Sequence, residues 1–487
     1  MADDITLDDA QTGRTAPASA APRGGWITVA AVAGGLFLSV VSSTMVSVAL
    51  PSIGGELRAT PTGLQWIVDA YVLVYASLLV AGGVLGDRHG RKGVFLIGVA
   101  VFGAGALLTG LAPTMPLLLA GRVVQGLGPA LVIPGSLTII RATFDDERQR
   151  ATAIGLWSTS SGLAMAAGPA LGGAVVAGLG WRAVFLLNVP LSLLLLAVAA
   201  RFVPRLPRAR VRHRFDAAGA ALTTAAIAAL AYAIIGGQDR GWTSPVIIAA
   251  FAAGLALLAL FVVRERHAAA PLVDVGLFAR ATFTAANVAA LIVFFAFIGA
   301  IVYFSAYFQQ VQGRAPVVAG LDVSAIGVAF ALAAPVSGRL VGRFGARRPM
   351  LAGLVIAGAA MLGLLRLGTD TGIGAIWWNF ALAGFGVGLC LTPMTAIAMA
   401  AVGAERAGMA SAVHNALRQL GQVLGVAILG ALVYAGLPGG HAAGDRLPAP
   451  LRPAFVAGLH HAIWLSGLAL LAAAALAAVL FTRPKPA

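Results

Sequence analysis

Apolar runs of roughly 20 or more residues return fourteen times along this 487-residue chain, and nothing else in it restricts the possible folds so much. A helix rises about 1.5 Å per residue, so each run can cross a hydrocarbon core of about 30 Å. The runs lie near residues 26–49, 62–86, 94–112, 116–140, 152–177, 183–203, 217–235, 246–263, 283–307, 318–341, 350–368, 375–402, 409–436 and 459–481. In lipid a backbone must satisfy its own polar groups, which segments of this length do as helices. With 59% hydrophobic and 10% charged residues, the chain also lacks the polar surface of a water-soluble globule. The expected fold class is an all-α integral membrane protein with 14 transmembrane helices.

A net charge of +15 would suit a nucleic-acid partner, but the basic residues are sorted by topology instead. With the N-terminus inside, only Arg58, Arg182, Arg240, Arg314, Arg366, Arg446 and Arg452 fall in outer loops, and Arg122 and Arg418 fall within spans. The remainder of the 33 Lys and Arg lie on the inner side, most densely at Arg205, Arg208, Arg210, Arg212 and Arg214. That is the positive-inside pattern of a multi-pass cell-membrane protein with both termini cytoplasmic. The partner it implies is the lipid bilayer, and nucleic acid is excluded. Residues 1–25, with Asp3, Asp4, Asp8 and Asp9, lack the basic start and cleavage pattern of a signal peptide and read as a disordered cytoplasmic tail. Residues 482–487 form a second, shorter tail.

Chemistry of the enzymatic kind has no visible carrier. Cys390 is the only cysteine and falls inside an apolar run, where it is a small packing residue. No His, Cys or acidic cluster has metal-ligand spacing, and no serine stands in a nucleophile elbow. Gly384-Phe-Gly-Val-Gly388 imitates a dinucleotide loop, but inside an apolar span it serves helix packing. Neither catalytic residues nor a metal nor a cofactor is expected.

Internal repetition sets the organisation. The segment Gly83-Val-Leu-Gly-Asp-Arg-His-Gly-Arg-Lys92 joins spans 2 and 3, and a degraded copy, Gly338-Arg-Leu-Val-Gly-Arg-Phe-Gly-Ala-Arg-Arg348, joins spans 10 and 11. Gly342 stands where the first copy has Asp87. The copies begin about 255 residues apart, whereas six spans with their loops occupy about 180. The surplus matches the segment from Pro204 to Ala281. The expected arrangement is 6 + 2 + 6: a six-helix half at 26–203, an inserted pair at 204–281, and a second half at 282–481.

Two further patterns complete a signature: Arg122-Val-Val-Gln125-Gly126 in span 4, and Gly155, Gly168, Pro169, Gly172 and Gly173 in span 5. With these the chain resembles, over nearly its whole length, the major facilitator superfamily in its fourteen-span drug:proton antiporter branch. Trp181-Arg182 with Phe185, Asn188 and Pro190, Phe308-Gln309-Gln310 with Gln312-Gly313, Glu405-Arg406-Ala407-Gly408, and Asn415 with Arg418-Gln419-Leu420-Gly421 extend the agreement.

The resemblance implies roles. Gly83, Asp87, Arg88, Gly90 and Arg91 would form an inner gate, with glycines for close helix approach and charges that lock and release the halves. Arg122 would influence proton transfer through a nearby acid, the alternative being a fixed salt bridge or carbonyl clamp. An arginine at mid-membrane costs roughly 2.5 to 3.5 kcal/mol on insertion scales, so it needs an assigned task. Gly155, Gly168, Pro169, Gly172 and Gly173 would kink and pack span 5 as in exporters, with Ala164 replacing one glycine of the pattern.

Departures from the family pattern are as informative. Span 1 of the branch ends L-D-x-T-x-V-N-V-A-L-P, and this chain has Ser42 at the aspartate. A serine does not carry a proton on and off near neutral pH. Asp69 in span 2 lies at similar depth and is the candidate coupling acid, the alternative being a structural aspartate bonded to Tyr71 or to a serine or threonine of span 1. Asp322 in span 10 is either a substrate anchor or a solvated residue of the outer interface. Phe297, Phe304 and Phe308 share a face of span 9 and either contact a flat substrate or pack. His414 and Arg418 are intramembrane polar groups that either line a cavity or serve structure.

The function expected is secondary active export of amphipathic organic small molecules by proton antiport and alternating access, for which a monomer suffices. Proton-coupled uptake by symport, or uniport, is an alternative. A non-transporting membrane sensor or scaffold is an alternative of another class.

Overall fold

A computed structural model describes residues 24–144, 146–206, 216–268, 274–402, 407–437 and 446–482. Most of both expected tails, Arg208 to Arg214 of the basic loop, and Glu405 and Arg406 lie outside the described residues. Every described element is a helix, and fourteen are long and apolar enough to cross a membrane. Spans 1 to 6 are Gly25–Leu57, Pro61–His89, Arg91–Gly110, Met115–Thr143, Glu147–Leu179 and Trp181–Phe202. Spans 7 and 8 are Ala217–Arg240 and Pro245–His267, and spans 9 to 14 are Ala281–Val311, Pro316–Phe344, Arg347–Arg366, Ile373–Ala400, Ala407–Tyr434 and Arg452–Thr482.

Several helices overrun the apolar runs because they continue until a cap or a special turn stops them. Thr60 accepts from Gly63 N ahead of Pro61, and Asp146 and Asp216 accept from Gln149 N and Gly219 N, each satisfying an orphan donor of a helix start. Spans 2 and 3 are joined by Gly90 alone, at φ +99°, a conformation that L side chains rarely adopt. Gly345, at φ +74°, ends span 10 in the degraded copy of the same segment. The end of the bundle that carries these turns also carries Arg88, Lys92, Arg343 and Arg347, and is called here the basic face; the opposite end is the far face.

The packing repeats with an offset of eight spans. Span 1 packs on 4, 5 and 6, span 2 on 4, and span 3 on 4 and 6; span 9 packs on 12, 13 and 14, span 10 on 12, and span 11 on 12 and 14. The two halves meet along two related seams, span 5 against span 10 and span 2 against span 13. Spans 7 and 8 form a hairpin outside this symmetry, with span 7 lying against both members of the 2–13 seam. Arg264 closes the hairpin's basic end by pairing with Asp216 at 2.6 Å. Burial tends to raise the Asp216 carboxyl, but Arg264 and the Gly219 N–H outweigh it and hold the group below the usual carboxylate range.

The 5–10 seam is a wedge. At its far end, side chains added at Gly173, Gly320 and Gly327 would run into the backbone of Pro316, Pro169 and Met165 in the facing helix. Midway, the position at Gly162 meets Ala331 at an ordinary 3.6 Å. Toward the basic face, Gly155, Gly338 and Gly342 have nothing within 4 Å. Gln309 Nε2 also donates to Val48 O at 3.1 Å, tying span 9 to span 1 near the far face. The halves therefore touch at the far face and part toward the basic face.

Candidate functional site

Inside the first half, the arginine of span 4 is held by carbonyl, amide and aromatic groups. Arg122 is fully buried; its Nε donates to Ile67 O at 2.8 Å and its Nη1 to Gln125 Oε1 at 2.7 Å. Gln125 Nε2 then donates to Ser42 Oγ at 3.1 Å. The guanidinium lies 4.3 Å from the centre of the Tyr71 ring, an attraction that desolvation strengthens. Tyr71 is fixed in turn by its hydroxyl, which donates to Ser39 O at 2.9 Å. Nη2 of Arg122 is buried without a partner.

Asp69 faces another way. It is fully buried, and neither carboxylate oxygen has a hydrogen-bond partner. Tyr71 and the serines and threonines of span 1 do not bond to it, and neither does Arg122. One turn toward the far face, Gln65 shares its side of span 2, since residues four apart on a helix are neighbours. Both amide atoms of Gln65 are buried and unpartnered. The Gln65 amide nitrogen and the Tyr303 hydroxyl both press on Gly430 of span 13. Pro51, Gln65, Tyr303, Gln310 and Tyr434 surround a void of about 10 Å³ beyond them. An isolated carboxylate away from water is costly, which sets Asp69 apart from the partnered polar groups around it.

The span 5 signature separates onto two faces. Gly168 and Gly172, four residues apart, receive Thr44 and Met45 of span 1, whereas Pro169 and Gly173, also four apart, meet Gly320 and Pro316 of span 10. Span 5 is thereby pinned between its own half and the other, the close approach that small residues permit between membrane helices. Gly155 takes no part in these contacts.

At the basic face, a Cβ added at Gly83 would meet Pro134 of span 4 at an ordinary 3.4 Å, Arg88 is exposed, and Lys92 Nζ donates to Ala200 O at the end of span 6. Arg91 begins span 3 directly after the Gly90 turn. Asp87 lies in the last turn of span 2, and its side chain is outside what is described.

Other candidates are brought into packing or pairing. Asp322 forms an ion pair with Arg314, whose guanidinium lies 5.1 Å from the Phe308 ring, so its charge is already matched. Phe297 packs on Phe330 with ring centres 5.5 Å apart, while Phe304 and Phe308 pack on Phe380 at 4.8 and 6.0 Å. All three rings of the span 9 stripe are buried, and contact with spans 10 and 12 occupies them. His414 is buried, with Nδ1 3.1 Å from Asn287 Oδ1 and Nε2 3.2 Å from Thr395 Oγ1. Arg418 is partly exposed, 4.3 Å from the Phe294 ring centre.

Gln65 and the glycines Gly320, Gly327 and Gly430 are the residues that sequence reasoning passed over. A signal for Gln65 existed: it stands four residues before Asp69 in an otherwise apolar segment.

The Major Facilitator Superfamily family model matches residues 32–219 and 215–426. Multidrug resistance protein Stp of Mycobacterium tuberculosis is 39% identical over 84% of this chain and 76% of its own length. The methylenomycin A resistance protein of Streptomyces coelicolor is 36% identical over 84% of this chain and 86% of its own. Among solved structures, a bacterial homolog of the human lysosomal transporter Spinster, inward-facing and unoccupied, has a TM-score of 0.67 at 19% identity, covering 96% of this chain and 99% of that one. Fold, packing symmetry, motifs and relatives converge: this multi-pass membrane protein belongs to the Major Facilitator Superfamily.

Proposed function

We propose that the protein exports amphipathic organic small molecules across the cell membrane in exchange for protons. The observation that carries this reading is Asp69, a buried, unpartnered carboxyl on the 2–13 seam between the two halves. Relatives named for drug and antibiotic resistance support export of such compounds. The excess of Arg and Lys at the basic face supports a cytoplasmic position for that face. On that orientation the wedge opens to the cytoplasm, and the described conformation receives substrate.

The cycle follows from differential exposure of Asp69. In the described state the acid is sealed on both sides and neutral when protonated. Rocking the halves about the glycine contacts of span 5 parts the far face, wets the 2–13 seam and lets Asp69 exchange its proton with the outside. One proton moving inward across 100 mV supplies about 2.3 kcal/mol. Arg122, committed to Ile67 O and Gln125, stiffens the helices around the acid and adds positive potential to the half. The Gly83 to Lys92 segment closes the cytoplasmic end in the opposite state.

Asp69→Asn in proteoliposomes tests the reading. Transport driven by an imposed proton gradient should fall at least tenfold, while counterflow of labelled substrate, which needs no net proton movement, should persist. Undiminished proton-driven transport by Asp69→Asn would rule out this assignment.

A further inference from the structure

Span 13 has a polar stripe at mid-membrane that the cycle above leaves unused. Asn415, Arg418, Gln419 and Gln422 stand at i, i+3, i+4 and i+7 and therefore share one face of the helix. They are linked along that face: Arg418 Nη1 donates to Asn415 Oδ1 at 3.2 Å, and Gln422 Nε2 to Gln419 Oε1 at 2.6 Å. A polar face of this length within a membrane helix belongs toward water, protein or a permeating molecule, never toward lipid tails.

Charge singles out one residue of the stripe. Arg122 and Asp69 are fully buried, whereas Arg418 keeps partial exposure where span 13 runs between spans 2 and 9. Arg122 spends its Nε and Nη1 donors on Ile67 O and Gln125. Arg418 has a buried Nε with no acceptor, one bond to a neutral amide, and no described carboxylate in ion-pair contact. Beneath it lies the Phe294 ring at 4.3 Å, an aromatic surface beside the unmatched charge. His414, one turn away, has both ring nitrogens engaged by Asn287 and Thr395, so it braces span 13 and does not offer a contact.

We propose that this face of span 13 binds the anionic group of an amphipathic substrate, a carboxylate or an equivalent ionised oxygen, with Arg418 as the recognising residue. The inference rests on the export reading only in taking the ligand to be a small organic molecule. A guanidinium fork with a spare donor accepts a carboxylate through parallel hydrogen bonds. Phe294, itself buried, backs the guanidinium, and the partly exposed side of Arg418 is left for the anion. The anion supplies the countercharge that the protein itself does not.

The test is equilibrium binding to the purified full-length protein, with 1-pyrenebutyrate and its methyl ester as a pair differing in charge but hardly in shape. Wild type should bind the acid at least tenfold more tightly than the ester. Arg418→Gln should bind the two alike, and Arg418→Lys, which keeps the charge but loses the fork, should retain a preference reduced at least threefold. Thermal unfolding and monodispersity verify that each variant is folded; if Arg418→Gln is not, the lysine variant decides. No preference in wild type, or an unchanged preference in the decisive variant, overturns the proposal. Because no proton gradient enters this measurement, its failure is separate from a failure of Asp69→Asn to uncouple transport.

Discussion

Gln125 donates to Ser42 Oγ at 3.1 Å, which makes Ser42 the last member of a chain that begins at Arg122. The serine thus occupies a place where a carboxylate would have an amide donor at hand and a buried guanidinium one residue further on. Ser42→Asp should therefore create a second proton-carrying site. On an Asp69→Asn background it should restore proton-driven transport in proteoliposomes to at least a quarter of wild type. Failure of the double variant to exceed Asp69→Asn alone would show that the Arg122 chain cannot host a coupling acid.

Gln65 lies between Asp69 and a void of about 10 Å³, near the smallest volume that holds one water molecule. Such a water would satisfy the orphaned amide and connect the acid to the far face. Gln65→Leu should slow proton-driven transport several-fold and enlarge its solvent deuterium effect, with substrate affinity unchanged. Equal isotope effects in variant and wild type would remove Gln65 from the proton's route.

Gly173 meets the Pro316 backbone, so a branched side chain there cannot be accommodated without parting spans 5 and 10. Gly173→Val should hold the far end of that seam apart and lower transport more than tenfold. A cysteine replacing Ala166, in a background without Cys390, should then react with a membrane-impermeant maleimide from outside. Protection of that cysteine equal to the Gly173 parent would contradict the wedge.

The Phe380 ring receives both Phe304 and Phe308. Phe380→Ala should lower stability by about 3 to 5 kcal/mol, the usual cost of emptying a packed aromatic site. Substrate range should stay the same across a drug panel, and a selective loss of flat compounds would return the stripe to substrate binding.

Asp216 contributes stability through a carboxyl held below its ordinary range by Arg264. A lowered folded-state value means the contribution is complete above the unfolded value of about 3.9 and fades as pH falls through the folded one. The melting temperature of Asp216→Asn should lie below wild type at pH 7, and the gap should narrow as pH falls below the unfolded value and close once the folded carboxyl is protonated. A constant gap across that range would point to lost packing instead of lost charge.

The fourteen spans and their 6 + 2 + 6 arrangement were legible because lipid demands long apolar helices and because the loop segment was duplicated. Rotation of each helix about its axis was not. Span 2 directs the Ile67 carbonyl and Tyr71 toward span 4 but Gln65 and Asp69 toward spans 9 and 13, and a helix apolar on nearly every side carries little pattern that distinguishes these faces. The resemblance consequently suggested that Arg122 acts on a nearby acid such as Asp69, although the two occupy different interfaces. Asp322 looked free because Arg314, eight residues earlier, lies on the connection between spans 9 and 10, where sequence does not fix direction. The glycines of span 5 were readable as packing residues, while their division between Thr44 and Met45 on one side and span 10 on the other required the neighbouring helices.

Span 7 lies across spans 2 and 13, so the inserted hairpin shields one of the two lines along which the halves meet. Among the described residues, no such hairpin lies across the other line, between spans 5 and 10, which widens toward the basic face. The two lines along which the halves meet are therefore unequal. One is lined by a further helix pair, and the other, among the described residues, borders the surroundings directly beside Gly155, Gly338 and Gly342.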